Sequence, residues 1–531
     1  NDGTAAARIE WIYHRLCAKP DEAANELEEL DRDWSGTGHP EDRQALAVAL
    51  QELTGSGLLN ARALLWASLC IAGVRASRGE TAQLGADARS LRQRACDLGD
   101  APAEAEAECL LGDVLQVQGK LDEAQDAYVA HLAIRRRLAE QDPSDTGWQR
   151  ELAVANSRVG DVLQAQGTLD EAQAAYVATL AISRRLAEQD PTNAGWQREL
   201  AAANSKVGNV LLAQGKLDEA QAAYVATLAI SRRLAEQDPS NGGWQRELAV
   251  ANSKVGDVLQ AQGKLDEAQA AYVATLASFR RLAEQDPSNA DWQRELAVAN
   301  SKVGDVLLAQ GKLDEAQLTY VADLAISRRL AEQDPSNAGW QRELAAANSK
   351  VGDVLQAQGK LDEAQAAYVA TLASFRRLAE QDPSNADWQR DLAASHSKVG
   401  DVLQAQGKLD EAQAACVAYL AISRRLAEQD PSNAEWQRDL AVANYRLGGI
   451  LQAQGKLSEA EAAYLEDLAI SRRLAEQDPS NTARQRDLGA TLDRLAKVLQ
   501  TQWKLSAAHE AESESLAIRR RLGRNDPTSA A

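Results

Sequence analysis

One spacing governs this chain. Trp148, Trp196, Trp244, Trp292, Trp340, Trp388 and Trp436 follow one another at steps of 48 residues. The prolines from Pro143 to Pro527 and the glycines from Gly112 to Gly448 keep the same step. A period of this length marks a repeat architecture. Each unit is too small to bury its own apolar face, so it buries that face against the next copy. A single core spanning all 531 residues is thereby set aside. Phe279 and Phe375, with Asp291 and Asp387, recur in alternate units, so a two-unit block has been copied whole.

The unit running from Glu247 to Arg294 predicts two helices. Helix A covers about Asn241 to Gln262, with an apolar stripe of Trp244, Leu248, Val255 and Leu259. Gly263 ends it, since glycine takes the left-handed conformation that closes a helix. Helix B covers about Leu265 to Gln285, with Leu265, Ala268, Tyr272, Leu276, Phe279 and Leu282 on one face. Asp266 and Glu267 fall in its first turn and Arg280 and Arg281 toward its end, the placement the helix dipole favours. Asp286-Pro287-Ser288-Asn289 then breaks the helix and caps the next one.

On these residues the unit resembles a tetratricopeptide repeat. Gly256, Leu259, Ala268 and Tyr272 stand at that family's glycine, bulky, small and aromatic positions. Asn252 replaces its early Trp, Val255 its Leu, and the closing proline is displaced to Pro287. The unit is longer than the usual repeat of about 34 residues by two heptads. Seven residues advance a helix about 700°, close to two full turns, so the packing faces survive the lengthening. The resemblance covers about residues 97–527. It implies an all-α fold: a right-handed superhelical solenoid of antiparallel helix hairpins, with the A helices lining its concave surface.

Four segments are expected: a helical region over 1–60, degenerate hairpins over 61–102, tandem repeats over 103–480, and a capping repeat over 481–531. In that last unit Arg484 replaces Trp, Ala496 and Trp503 replace glycines, and Glu512 replaces Tyr. A polar, atypical end is what a solenoid needs. Residues 1–60 resemble the helical segment that joins nucleotide-switch cores to repeat arms in bacterial STAND-type signalling ATPases.

Composition narrows the function. With 58 basic against 78 acidic residues the formal charge is −20, which argues against nucleic acid and anionic membrane surfaces as partners. No apolar run reaches the roughly 20 residues of a membrane helix. Cys17, Cys70, Cys96, Cys109 and Cys416 are odd in number and lack metal-ligand spacing, so no disulfide framework and no metal are expected, and a reducing cytoplasm is. Met is absent and the chain begins at Asn1, which predicts a segment of a longer protein with further domains upstream. Phosphate loops, HExxH, CxxC and GxSxG are all missing, and no cofactor is expected. His14 and Cys17 share a helix face, but packing explains them better than catalysis; His396 is a drifted repeat position. The chain reads as a non-enzyme.

The remaining ladders divide between core and groove. The Trp ladder is expected in inter-repeat packing and the Tyr ladder in the core. The paired arginines, such as Arg232 and Arg233, are expected to meet Glu236 and Asp238 at the surface. Asn156, Asn204, Asn252, Asn300, Asn348 and Asn444 interrupt an apolar stripe. They bond one another or neighbouring backbone, or they face the groove; an internal role is favoured. By the resemblance, Val250, Ser253, Asp257 and Gln260 map to the groove. Three candidate partner-binding rows follow: Ser205, Ser253, Ser301 and Ser349; Asp161, Asp257, Asp305, Asp353 and Asp401, interrupted by Asn209 and Gly449; and Gln260, Gln356 and Gln404. Lys254 is placed to neutralise Asp257 on the same helix.

The expectation is therefore an interaction scaffold, the sensing or docking arm of a larger bacterial signalling protein. It would hold a protein or peptide in the groove, with a bias to basic partners. A self-assembling or spacer array is the alternative, and an enzyme with a site in the N-terminal region is a weaker one.

Overall fold

In a computed structural model, residues 4–37, 40–81 and 83–525 are described, and they form 23 helices with no strand among them. Two compact units divide at Lys264 and Leu265. The first holds α1 (Ala5–Ala18), α2 (Pro20–Thr37), α3 (Pro40–Thr54), α4 (Ala61–Ser77), α5 (Leu84–Leu98), α6 (Ala101–Val117) and α7 (Leu121–Gln141). It continues with α8 (Thr146–Ala165), α9 (Leu169–Gln189), α10 (Ala194–Ala213), α11 (Leu217–Gln237) and α12 (Gly242–Ala261). The second holds α13 (Leu265–Gln285), α14 (Ala290–Ala309), α15 (Leu313–Gln333), α16 (Ala338–Ala357), α17 (Leu361–Gln381) and α18 (Ala386–Ala405). Then come α19 (Leu409–Gln429), α20 (Ala434–Ala453), α21 (Leu457–Gln477), α22 (Thr482–Thr501) and α23 (Leu505–Asn525). Within each unit, an A helix packs on the B helix that follows it, and that B helix packs on the next A helix. From α5 onward each unit is thus an α-solenoid of stacked hairpins, and α1–α4 pack as a small helical cluster ahead of α5.

Local chemistry sets the helix ends. Before α10, the Asp190 carboxylate accepts the backbone N–H of Thr192 at 2.9 Å and its hydroxyl at 2.6 Å. Those bonds, the hydroxyl's first, hold the Asp190 carboxyl below the usual range. The Asn193 side chain then caps α10 by accepting the Trp196 N–H at 3.1 Å. At the other end Gly215 adopts φ 75°, and Lys216 N–H returns to the Leu211 carbonyl at 2.9 Å. This is the left-handed helix stop that glycine allows.

The hairpin core rests on a glycine facing an aromatic ring. A β-carbon placed on Gly160 would lie 2.6 Å from Cε1 of Tyr176, so only glycine lets α8 and α9 approach this closely. The same contact recurs at Gly304 with Tyr320, Gly352 with Tyr368 and Gly448 with Tyr464. The tyrosines are fully buried. The tryptophans are only half-buried; Trp388 packs on the cluster of Phe375, Leu378 and Ala345.

Two ladders differ from expectation. The buried asparagines neither bond one another nor reach neighbouring repeats. Asn204 Nδ2 donates to the Leu200 carbonyl one turn back at 2.9 Å, and Asn300 and Asn348 repeat this at 3.0 Å to Leu296 and Leu344. The second arginine of each pair turns inward: Arg233 donates to Gln197, whose amide donates to the Ala187 carbonyl at 3.1 Å. Gln197, buried beside the half-buried Trp196, therefore joins α9, α10 and α11. Its carbonyl needs a donor, and a guanidinium supplies one better than it would serve surface carboxylates.

Candidate partner-binding face

The groove-mapped residues lie on the A helices, and the structure binds most of them into a polar seam. Asp161 accepts the Tyr176 hydroxyl at 2.8 Å and both oxygens meet Lys206 Nζ of the next repeat, at 2.6 and 2.7 Å. Asp305 does the same with Tyr320 at 2.7 Å and Lys350 at 2.8 and 2.7 Å, and Asp353 with Tyr368 at 2.7 Å and Lys398 at 2.6 and 2.7 Å. Asp401 pairs with Arg446. Asp161, Asp305 and Asp353 thus each close a hairpin and clasp the next one, and Asp401 clasps the next one alone. Burial and the adjoining carboxylate push the Tyr176, Tyr320 and Tyr368 phenols far up, so they remain donors.

This changes the reading of the aspartate row. It is not a free acidic stripe, because a cation from the following repeat neutralises each of these four carboxylates. At these four positions the pairing spans neighbouring repeats rather than three residues of one helix. The bias toward basic partners loses its electrostatic basis here.

The other rows are half-engaged. Ser205 Oγ lies 3.2 Å from Thr227 Oγ1, and Ser301 accepts Lys350 Nζ at 2.7 Å. Gln356 lies 2.9 Å from the Tyr368 hydroxyl. Ser253, Asp257 and Gln260 lie half-buried on α12, and Ser349 half-buried on α16. Gln404 alone of the twelve is exposed: Cys416 replaces the tyrosine that would cover it. The aromatic ring reappears one turn on as buried Tyr419, whose hydroxyl donates to the Asp439 carbonyl at 3.3 Å.

Near the end of the second unit the seam opens. A cavity of about 480 Å³ lies between α18, α20, α21 and α22. It is lined by Tyr445, Arg446, Gly449, Tyr464, Asp467 and Arg494, with Ala441, Val442, Leu474 and Ala490 as apolar wall. Asp467 stands where Thr179, Thr227, Thr275 and Thr371 are buried in other repeats, and where Asp323 is buried in α15. It accepts Thr491 Oγ1 at 2.7 Å and Ser471 Oγ at 2.8 Å, and burial pushes its carboxyl up to about 6. Sequence reading missed Tyr445, Asp467 and Arg494. Aligning the copies would have found Tyr445, which breaks the serine row, whereas Asp467 and Arg494 repeat residues already seen at Asp323 and Arg446.

A smaller recess of about 210 Å³ in the first unit is lined by Glu106, Cys109, His131, Arg135 and Arg158 among others. His131 Nδ1 lies 2.8 Å from the Ala105 carbonyl, and burial lowers the imidazole to about 4. Among the described residues no three His, Cys, Asp or Glu side chains converge to hold a metal. The five cysteines are free. No described helix is long and apolar enough to cross a membrane.

Stacked antiparallel hairpins, closed by a glycine–aromatic contact and lengthened to 48 residues, define an α-solenoid of the tetratricopeptide-repeat type. The family model for the tetratricopeptide repeat matches residues 445–480, which span the C-terminal half of α20 and all of α21. No curated protein matches the chain. Among solved structures it is similar to the apo form of RapI, at 13% identity over 79% of this chain and 98% of that one, TM-score 0.47. It is also similar to the quorum sensor NprR from B. thuringiensis, at 12% identity over 78% and 98%, TM-score 0.41. A third is BtubC from P. vanneervenii, at 21% identity over 49% and 92%, TM-score 0.39.

Proposed function

We propose that this chain is a non-enzymatic interaction scaffold that takes a segment of a protein or peptide on its A-helix face. One observation carries the reading: where the chain departs from its own repeat. Most copies keep the aspartate that bridges its own tyrosine and the cation of the next repeat, whereas its loss at Gly449, with Tyr445 on the same helix, coincides with a cavity on the A-helix face. A recess of that size with apolar walls and few polar groups has the form of a ligand site. Ser301, Ser349 and Gln404 extend polar surface from it, suited to an extended or helical segment.

The test is a random peptide library selected against the intact chain, with hydrogen exchange to map the bound peptides. Protection of α18, α20 and α22 is expected, and Ala490→Trp, at an exposed lining residue, should abolish it. Protection confined to the B helices, or no enrichment at all, would overturn the reading.

The finer assignment is the sensing or docking arm of a larger bacterial signalling protein in the cytoplasm. It is supported by the helical region α1–α3 ahead of the repeats and by five free thiols. Sequencing the gene upstream of the codon for Asn1 tests it. An adjoining nucleotide-binding or effector domain is expected, and a frame holding only repeats would reject it.

A further inference from the structure

The cavity in the second unit sits where the repeat deletes one of its own carboxylates. In the regular copies an aspartate receives two donors, the tyrosine hydroxyl of its own hairpin and the cation of the next. At the corresponding place in α20 that aspartate is Gly449, and the two donors remain. Tyr464 retains Gln452 Oε1 at 3.4 Å as its hydrogen-bond partner. Arg494, which replaces the lysine, donates through Nε to the Tyr445 hydroxyl at 3.2 Å, with its guanidinium 6.0 Å from that ring's centre. Among the described residues no carboxylate pairs with Arg494, whereas Lys206, Lys350, Lys398 and Arg446 all have one. Asn209 makes a different break in the row: its amide still accepts the Tyr224 hydroxyl at 2.8 Å, so that seam stays closed.

The other charged side chains around the cavity each have a hydrogen-bond partner. Arg446 pairs with Asp401, and Arg438 with Asp487 at 2.8 Å. Arg484 donates to the Leu474 carbonyl at 3.4 Å. Asp467 is held by two hydroxyls. Among the described lining residues Arg484 and Arg494 thus have no carboxylate in a salt bridge, and Arg494 is the one whose counterparts in other repeats hold an aspartate. It stands beside a hydroxyl donor and an empty side-chain position.

We infer that this cavity receives a carboxylate from the bound partner, which takes the place of the missing aspartate between Tyr464 and Arg494. The inference rests on the proposed peptide-binding role and adds its chemistry: the partner presents an acidic group, either an Asp or Glu side chain or a chain terminus. A guanidinium gives such a group two parallel bonds, which a lysine cannot.

The internal repeat supplies the test. A β-carbon on Gly449 would lie 3.7 Å from the Tyr464 hydroxyl, an ordinary contact, so Gly449→Ala and Gly449→Asp both fit. Peptides are selected on the intact chain from two random heptapeptide libraries, one with free and one with amidated C-termini. Enriched peptides should carry an Asp or Glu at a fixed position if a side chain binds. If the terminus binds, they should come from the free-ended library alone. Gly449→Asp fills the place with the chain's own carboxylate and should weaken binding roughly tenfold or more, as should Arg494→Gln, while Gly449→Ala keeps it. Thermal unfolding checks folding, and Gly449→Asp should melt no lower than the native chain. Groove-bound peptides without a carboxylate, or unchanged binding by Gly449→Asp, would overturn this inference and leave the scaffold reading standing. Failure to select any peptide would remove both.

Discussion

Two stretches of the second unit start from one design and end differently. From α14 to α17 each A helix gives its groove-side carboxylate to a tyrosine behind it and a lysine ahead of it, and the seam is closed. From α18 to α22 Cys416, Tyr445, Gly449 and Arg494 interrupt that pattern, and the seam opens into a cavity. The contrast teaches that in a copied array the constant residues hold the copies together. The exceptions are where something else can bind.

The contrast can be broken most forcefully at its glycines. Gly352→Val would drive a β-carbon to 2.6 Å from the Tyr368 ring, so a loss of about 3 kcal/mol in urea unfolding is expected. Gly449→Val, facing the cavity, should cost under about 1 kcal/mol by the same measurement. Equal losses would mean that the two stretches do not differ in packing.

Next in size is Asp467, which has a raised carboxyl. A carboxyl with a raised folded pKa costs stability above that pKa, and the cost fades as pH falls through about 6 toward the unfolded value. Asp467→Asn should therefore stabilise the chain by about 2 kcal/mol at pH 7.5 and by nothing near pH 3.5. A pH-independent gain would show that charge burial is not the cause.

A smaller effect separates the last hairpin from its predecessors. Trp503 holds φ 62° where Gly455 holds 76°, a conformation costly for any residue with a β-carbon. Trp503→Gly should raise stability by about 1 kcal/mol, read as a higher melting temperature. Smallest of all is the outer ion ladder. Arg342→Ala removes a 3.1 Å pair with Asp391 that is largely in water, and should cost under about 1 kcal/mol, shrinking further in 0.5 M salt.

Much of this was legible beforehand. The cap at Asn193, the stop at Gly215 and the burial of the Tyr176 ladder follow from local preference and a 48-residue period. The break at Gly449 was visible as a gap in a row of aspartates. Its meaning was not, because Tyr464 and Arg494 lie 15 and 45 residues away along the chain and meet only through packing. The aspartate row misled for the same reason. On one helix Lys254 stands three residues from Asp257, but Lys206 is drawn 45 residues back to Asp161 across the stack.

Sequence alone determined the element types, their ends and the fact of stacking, since each depends on short-range preference or on a period that repeats. Tertiary structure decided which polar groups are spent on neighbouring copies and which are left over. That choice depends on the register of one helix against another, where a displacement of a few ångströms makes or breaks a hydrogen bond.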